Sequence, residues 1–168
     1  QNRFTLLHLH TPYSLLDGFT KIPDLMKRCK ELGMDSVAVT DHGVMFGVVD
    51  FYKEAKKHEI KPIIGCEVYV SRRSRFDKEN IDKKSYHLVL LAENQIGYQN
   101  LIKLSSLGFT EGYYYKPRVD YDLLKNHSEG IIALSACLAG EVQQRLLEGN
   151  YESAKEAAMA LRDAFGED

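Results

Sequence analysis

Ser36-Val37-Ala38-Val39-Thr40-Asp41-His42-Gly43, followed after one helical segment by Ile63-Ile64-Gly65-Cys66-Glu67-Val68-Tyr69-Val70, decides the fold class. Both runs are continuously apolar rather than alternating, the pattern of strands covered on both faces. The segment between them, to about His58, carries Phe46, Val49 and Ala55 among its apolar positions and reads as an amphipathic helix. Strand, helix, strand with covered strands predicts a parallel sheet flanked by helices, an α/β fold.

The same alternation extends outward. Upstream, Thr20 is placed to cap a helix to about Leu32, with Ile22, Leu25, Met26, Cys29 and Leu32 on one face and Gly33 as its stop. Before it, Leu6-Leu7-His8-Leu9-His10 reads as an opening strand that turns through Pro12 to Asp17-Gly18. Downstream, Tyr86 to Ala92 and Gly130 to Ser135 are further strands, with helices from Ile96 to Leu107, Asp120 to Lys125, Glu141 to Leu147 and Tyr151 to Phe165. Arg72 to Ser85 lacks apolar periodicity and reads as an exposed excursion.

A length of 168 residues and a hydrophobic fraction of 44% suit one domain with a real core. The formal charge of -2 excludes a whole-domain cationic surface for nucleic acid. Cys29, Cys66 and Cys137 are far apart and form no C-x-x-C; with no leading signal sequence, they point to a reducing, cytoplasmic setting. No apolar run approaches the roughly 20 residues of a membrane span.

Polar residues cluster where an α/β fold gathers its ligand-binding groups, at the carboxyl ends of strands. His8 and His10, two apart in an extended segment, share a side. Asp41 and His42 close the second strand, Glu67 lies near the third and Cys137 follows the fifth; His87, near the start of its strand, fits least well. Imidazole, carboxylate and thiolate suit zinc, manganese or iron. His8, His10, Asp17, His42, Glu67, His87 and Cys137 exceed the needs of one ion and suit two or three bridged by a carboxylate. Asp41 is read as either a contributor or an acceptor for the distal N–H of a liganding histidine. Cys137 is read as a thiolate ligand or as a small buried residue. Arg72, Arg73 and Arg75 are candidates for phosphate, against the reading of a solvated loop. Tyr113 to Arg118, with Tyr114, Lys116 and Arg118, suits a nucleotide clamp or a loop packed over the domain.

The motifs His8-Leu9-His10-Thr11-Pro12-Tyr13-Ser14-Leu15-Leu16-Asp17-Gly18, Val39-Thr40-Asp41-His42-Gly43, Lys61-Pro62-Ile63-Ile64-Gly65-Cys66-Glu67, Gly112-Tyr113-Tyr114-Tyr115-Lys116-Pro117-Arg118 and Ser135-Ala136-Cys137-Leu138-Ala139-Gly140-Glu141 together resemble the polymerase and histidinol phosphatase (PHP) family, in the form found at the amino terminus of bacterial replicative DNA polymerase III alpha subunits. The resemblance covers essentially the whole chain. It implies a distorted TIM-like (β/α)7 barrel with a divalent-metal phosphoesterase centre at the strand ends. His8, His10, Asp17, His42, Glu67, His87 and Cys137 are then the metal ligands, with Asp41 behind them. Zinc or manganese is favoured, with iron or magnesium as alternatives.

What the resemblance further implies is a domain acting as a 3′-5′ exonuclease on a DNA primer-template end. It would sit beside the polymerase domains of the same parent chain, a DNA-directed DNA polymerase, and could contact a separate exonuclease subunit of the replisome. Alternatives are a metal-stabilised scaffold without catalysis and a small-molecule phosphoesterase. Asp17 and Cys137 stand where free-standing phosphoesterases of the family carry histidines. No late Asp-x-His pair follows Cys137, and five strands fall short of seven, so residues 1–168 are expected to be the first part of a PHP domain, truncated after its fifth strand.

Overall fold

The computed structural model describes residues 4–166. Its elements are α1 (Ile22–Glu31), β1 (Ser36–Val39), α2 (Val48–Lys57), β2 (Lys61–Ser71), β3 (Ser85–Ala92), α3 (Gln95–Thr110), β4 (Arg118–Val119), α4 (Tyr121–Asn126), β5 (Ile131–Leu134), α5 (Glu141–Leu147) and α6 (Tyr151–Phe165), with one 3-10 turn at Asn80–Lys83. The α/β class holds.

The sheet is mixed rather than parallel. Its order is β1-β2-β3-β5, with β4 on β2. β1 and β2 run parallel, but β3 is antiparallel to both β2 and β5. Apolar continuity reports coverage of both faces and is blind to strand direction, which is why it misled. The excursion from Arg72 to Lys84 is thus the connection of a long hairpin, and β2 is its spine. Lys61 to Ile64 pair with β1, and Gly65 to Ser71 pair with β3. The opening segment is not a regular strand: Leu6 bridges Val37, and Leu9 exchanges hydrogen bonds with Thr40 along one side of β1.

Alternation along β2 separates two environments. Cys66, Val68 and Val70 face an outer core with Leu88 and Leu90 of β3, Leu101 and Leu104 of α3, and Leu123 and Leu124 of α4. A second cluster joins α1, α2 and β1 through Met26, Phe51, Val37 and Val39. The other face of the sheet carries a small group of Ala38, Val89 and Leu91, and above it Glu67 and His87. Complete burial of Phe51, Leu90 and Leu104 makes these positions intolerant of truncation, at about 2–5 kcal/mol each for loss to alanine.

Helix ends depart from expectation at one point. Thr20 caps nothing: α1 begins after Lys21 without a side-chain cap, its start set by Pro23 in the first turn. Asn94, Asp120 and Asn150 cap α3, α4 and α6 through their side chains. Leu32, Phe46 and Val49 are exposed rather than part of the helical faces assigned to them.

Candidate metal centre

Glu67 is wholly buried, and four imidazoles surround its carboxylate. His8 Nε2 and His10 Nε2 lie 2.8 and 2.6 Å from Oε2, His87 Nδ1 lies 2.9 Å from Oε1, and His42 Nδ1 lies 3.4 Å from Oε2. Asp17 closes the ring from outside, 3.2 Å from His10 Nδ1 and 2.7 Å from His42 Nε2. Cys137 Sγ is 3.7 Å from His87 Nδ1 and 4.0 Å from Glu67 Oε1.

The antiparallel hairpin explains His87. It faces Tyr69 across the β2–β3 ladder, so the start of β3 lies at the rim where β1 ends. β5, antiparallel to β3, delivers Cys137 to the same rim. His42 arrives through a bridge that prolongs the β1 side of β2: Gly43 N–H donates to the Glu67 carbonyl at 2.8 Å, and Glu67 N–H donates to the Asp41 carbonyl at 3.0 Å. Asp17 and Cys137 each follow a non-glycine residue with positive φ, Leu16 at 78° and Ala136 at 64°. Such backbone is held only where surrounding contacts over-determine it, as binding sites do.

Burial pushes the Glu67 carboxyl up, but hydrogen bonds from His10, His87 and His8, with the charge of His42, outweigh it and hold the group well below the usual carboxylate range. His10 is raised, chiefly by its hydrogen bond to Glu67 against the opposing effect of burial. Neutral imidazole lone pairs do not turn toward one carboxylate unless protons or a cation lie between.

Three sets of ligand atoms each lie within 4.8 Å of one another: His8, His10 and Glu67; His10, Asp17 and His42; and His42, Glu67 and His87. His42 Nδ1 is buried without a hydrogen-bond partner. An orphaned ring nitrogen, shared carboxylates and nitrogen–oxygen donors fit divalent ions.

Asp41 plays a different part from that of a histidine's acceptor. Its carboxylate takes hydrogen bonds from Thr11 N–H at 2.6 Å, Thr11 Oγ1 at 2.7 Å and Ser14 Oγ at 2.7 Å, while Ser14 Oγ accepts from His42 N–H at 3.0 Å. It therefore fixes the turn between His10 and Asp17. Cys137 is exposed, not a small buried residue.

The arginines divide. Arg73 is tied to Asp82 and Glu79, and Arg75 to Glu111 and Asp120, so both clamp the hairpin connection. Arg118 is buried and donates to the carbonyls of Gly112, Asp82, Arg75 and Asp77. Arg75 and Arg118 spend their charge inside the fold, whereas Arg73 stays 45% exposed and is paired at the surface. Tyr114 lies edge-on to Tyr115, beneath the Arg118 guanidinium. Arg72 lies over the Tyr86 ring, and Lys116 over that of Tyr69.

Tyr69 escaped the sequence reading. It stacks on His42 at 6.0 Å between centroids and meets His87 edge-on at 5.3 Å. Its signal was the two-residue spacing from Glu67, which puts both on one face of β2. A cleft of about 540 Å³ between Val48, Tyr52, Pro62 and Tyr98 contains none of the candidate ligands.

A family model described as PHP domain matches residues 7–168. DNA polymerase III subunit alpha of Borreliella burgdorferi is 48% identical over 100% of this chain and 15% of its own length. The subunit of the same name from Helicobacter pylori is 51% identical over 98% of this chain and 14% of its own. The chain thus spans about 15% of the length of these relatives. Among solved structures, an amidohydrolase from Chromobacterium violaceum is 19% identical, with a TM-score of 0.43 over 95% of this chain and 49% of that one.

Proposed function

The chain belongs to the PHP-domain family, and from that premise we propose that it is the first part of a metal-dependent phosphodiesterase module that removes nucleotides from the 3′ end of DNA. The module would be carried within a replicative DNA polymerase alpha chain. The observation that carries the reading is the buried Glu67 carboxylate ringed by His8, His10, His42 and His87. The whole-chain likeness to alpha subunits supports a longer parent chain that carries polymerase domains; a primer-template end is the substrate this reading gives the centre. Three free cysteines accord with the cytoplasm, and among the described residues no helix is long and apolar enough to cross a membrane.

His8, His10, Asp17, His42, Glu67, His87 and Cys137 would hold two or three ions, zinc or manganese by the mixture of nitrogen, oxygen and sulfur donors. When bound, such ions neutralise the non-bridging oxygens of a phosphodiester and acidify water at neutral pH. The chain's own part is preorganisation. Glu67 stays anionic and fixes three rings at hydrogen-bond distance, Asp41 locks the Thr11–Ser14 turn, and Tyr69 packs His42 and His87 into position.

The test uses the full-length parent chain. Excision from a labelled 3′ end is expected to require divalent metal and to fall at least about a hundredfold in His10→Ala, the scale of losing one electrostatic group in a preorganised site. Nucleotide addition should persist. Equal excision by wild type and His10→Ala overturns the catalytic reading. Metal retained without excision in wild type assigns the centre to a scaffold instead.

A further inference from the structure

We propose that two clefts meeting at Lys116 form a track for one single strand of DNA, with phosphates on the basic side and bases on the aromatic side, leading to the metal centre. The inference rests on the phosphodiesterase reading and names how its polymeric substrate is held.

The basic cleft, about 280 Å³, is lined by Arg72, Lys83, Lys84 and Lys116, and by Ala139. Among the described residues, none of these four cations has a carboxylate within ion-pair distance, whereas Arg73 and Arg75 in the same hairpin connection are each paired. Three of them lie over rings instead: Arg72 on Tyr86, Lys83 on Tyr115 at 5.1 Å and Lys116 on Tyr69 at 4.4 Å. A ring face orients a cation without neutralising it. Four uncompensated charges on a chain of net charge -2 are a local field, of the kind that draws in a polyanion.

The cleft adjoins the centre through Ala139. Ala139 N–H donates to Cys137 Sγ at 3.4 Å, and the Ala139 carbonyl accepts from His87 N–H at 3.0 Å.

Lys116 also lines a cleft of about 410 Å³ together with Tyr13, Phe46, Phe109 and Tyr115, and with His42 and Tyr69. Phe46 and Tyr115 are 68% and 64% exposed. Exposed rings beside unpaired cations are the components of sequence-tolerant single-strand binding, in which bases stack and phosphates meet charge. Lys83 joins the two sides by lying over Tyr115, and Lys116 by standing in both clefts. A duplex would keep its base faces stacked internally and leave the aromatic side unused.

Metal-stripped full-length chain is irradiated with an iodouracil-substituted single strand of about 12 nucleotides, within the span of known single-strand sites. Cross-links at Tyr115 are expected. In the Lys83→Glu, Lys84→Glu double variant their yield should fall at least tenfold at low salt, and the slope of log yield against log salt should flatten by about 1.4, at about 0.7 per lost phosphate contact. Tyr115→Asn, which tolerates the local φ of 61°, should also bind less tightly without strain from the substitution. With metal restored, the loss in excision should be larger for the long strand than for a dinucleotide. Cross-linking at Tyr115 without any excision refutes the phosphodiesterase reading and leaves the track standing. Excision at wild-type efficiency by the double variant and by Tyr115→Asn, or no cross-link at Tyr115 in wild type, overturns the track alone.

Discussion

Replacing Arg118 with methionine tests whether this residue holds the fold or the substrate. The guanidinium is 1% exposed and donates to four backbone carbonyls. Two of those contacts are fully buried, Nε to Gly112 at 2.9 Å and one terminal nitrogen to Asp82 at 3.2 Å. Methionine fills similar space but orphans both acceptors, at about 1–3 kcal/mol each. The contacts to Arg75 and Asp77 are partly exposed, and water replaces them. Relief of burying the charge, the same effect that lowers the Arg118 pKa, offsets part of the loss.

The net cost is about 3 kcal/mol, concentrated in the hairpin connection and the Gly112–Val119 segment, or about a hundredfold in the local opening constant. Hydrogen exchange measured by mass spectrometry on the full-length chain reads this directly: peptides from 72–84 and 112–119 lose protection, while those from α1 and α2 do not. Protection within about threefold of wild type in these peptides, an energy well under that of one orphaned buried carbonyl, refutes the structural assignment of Arg118.

Two further outcomes follow from the side-chain environments. Burial, with Asp41 and Glu67 nearby, pushes the Cys66 thiol up to about 12, so in native protein iodoacetamide should label exposed Cys137 first and leave Cys66 untouched; chelation should speed Cys137 labelling if its sulfur holds a metal, as peptide mapping will show. Asp82, held down to about 2 mainly by its hydrogen bond from Arg73, has a folded pKa below its unfolded value; its contribution is therefore complete above about pH 4 and disappears as pH falls through about 2, and Asp82→Asn should flatten the acid limb of a stability profile over that window.

Much of the candidate centre was legible in the chain because its donors are rare residue types on or beside apolar runs: His8 and His10 by their spacing, His42 by closing the second run, and Glu67 as a lone carboxylate within the third. The roles of the arginines were not. Arg73, Arg75 and Arg118 have the composition of a phosphate site, and only the structure shows their partners: Asp82 and Glu79 for Arg73 at the surface, Glu111 and Asp120 for Arg75, and four carbonyls for the buried Arg118. Asp41 was misjudged for the same reason: a carboxylate beside a histidine in sequence bonds to whatever the turn folds back against it, here Thr11 and Ser14.

By itself, the sequence determined the order and approximate extent of most elements, since 3.6- and two-residue periodicities are properties of neighbouring residues. Strand direction, and with it the meeting of His87 with Glu67, was decided only in three dimensions. Antiparallel pairing of β3 turns a histidine at the start of a strand toward the rim reached by the ends of β1 and β5. No local pattern encodes that reversal, because pairing direction depends on contacts between segments distant in the chain.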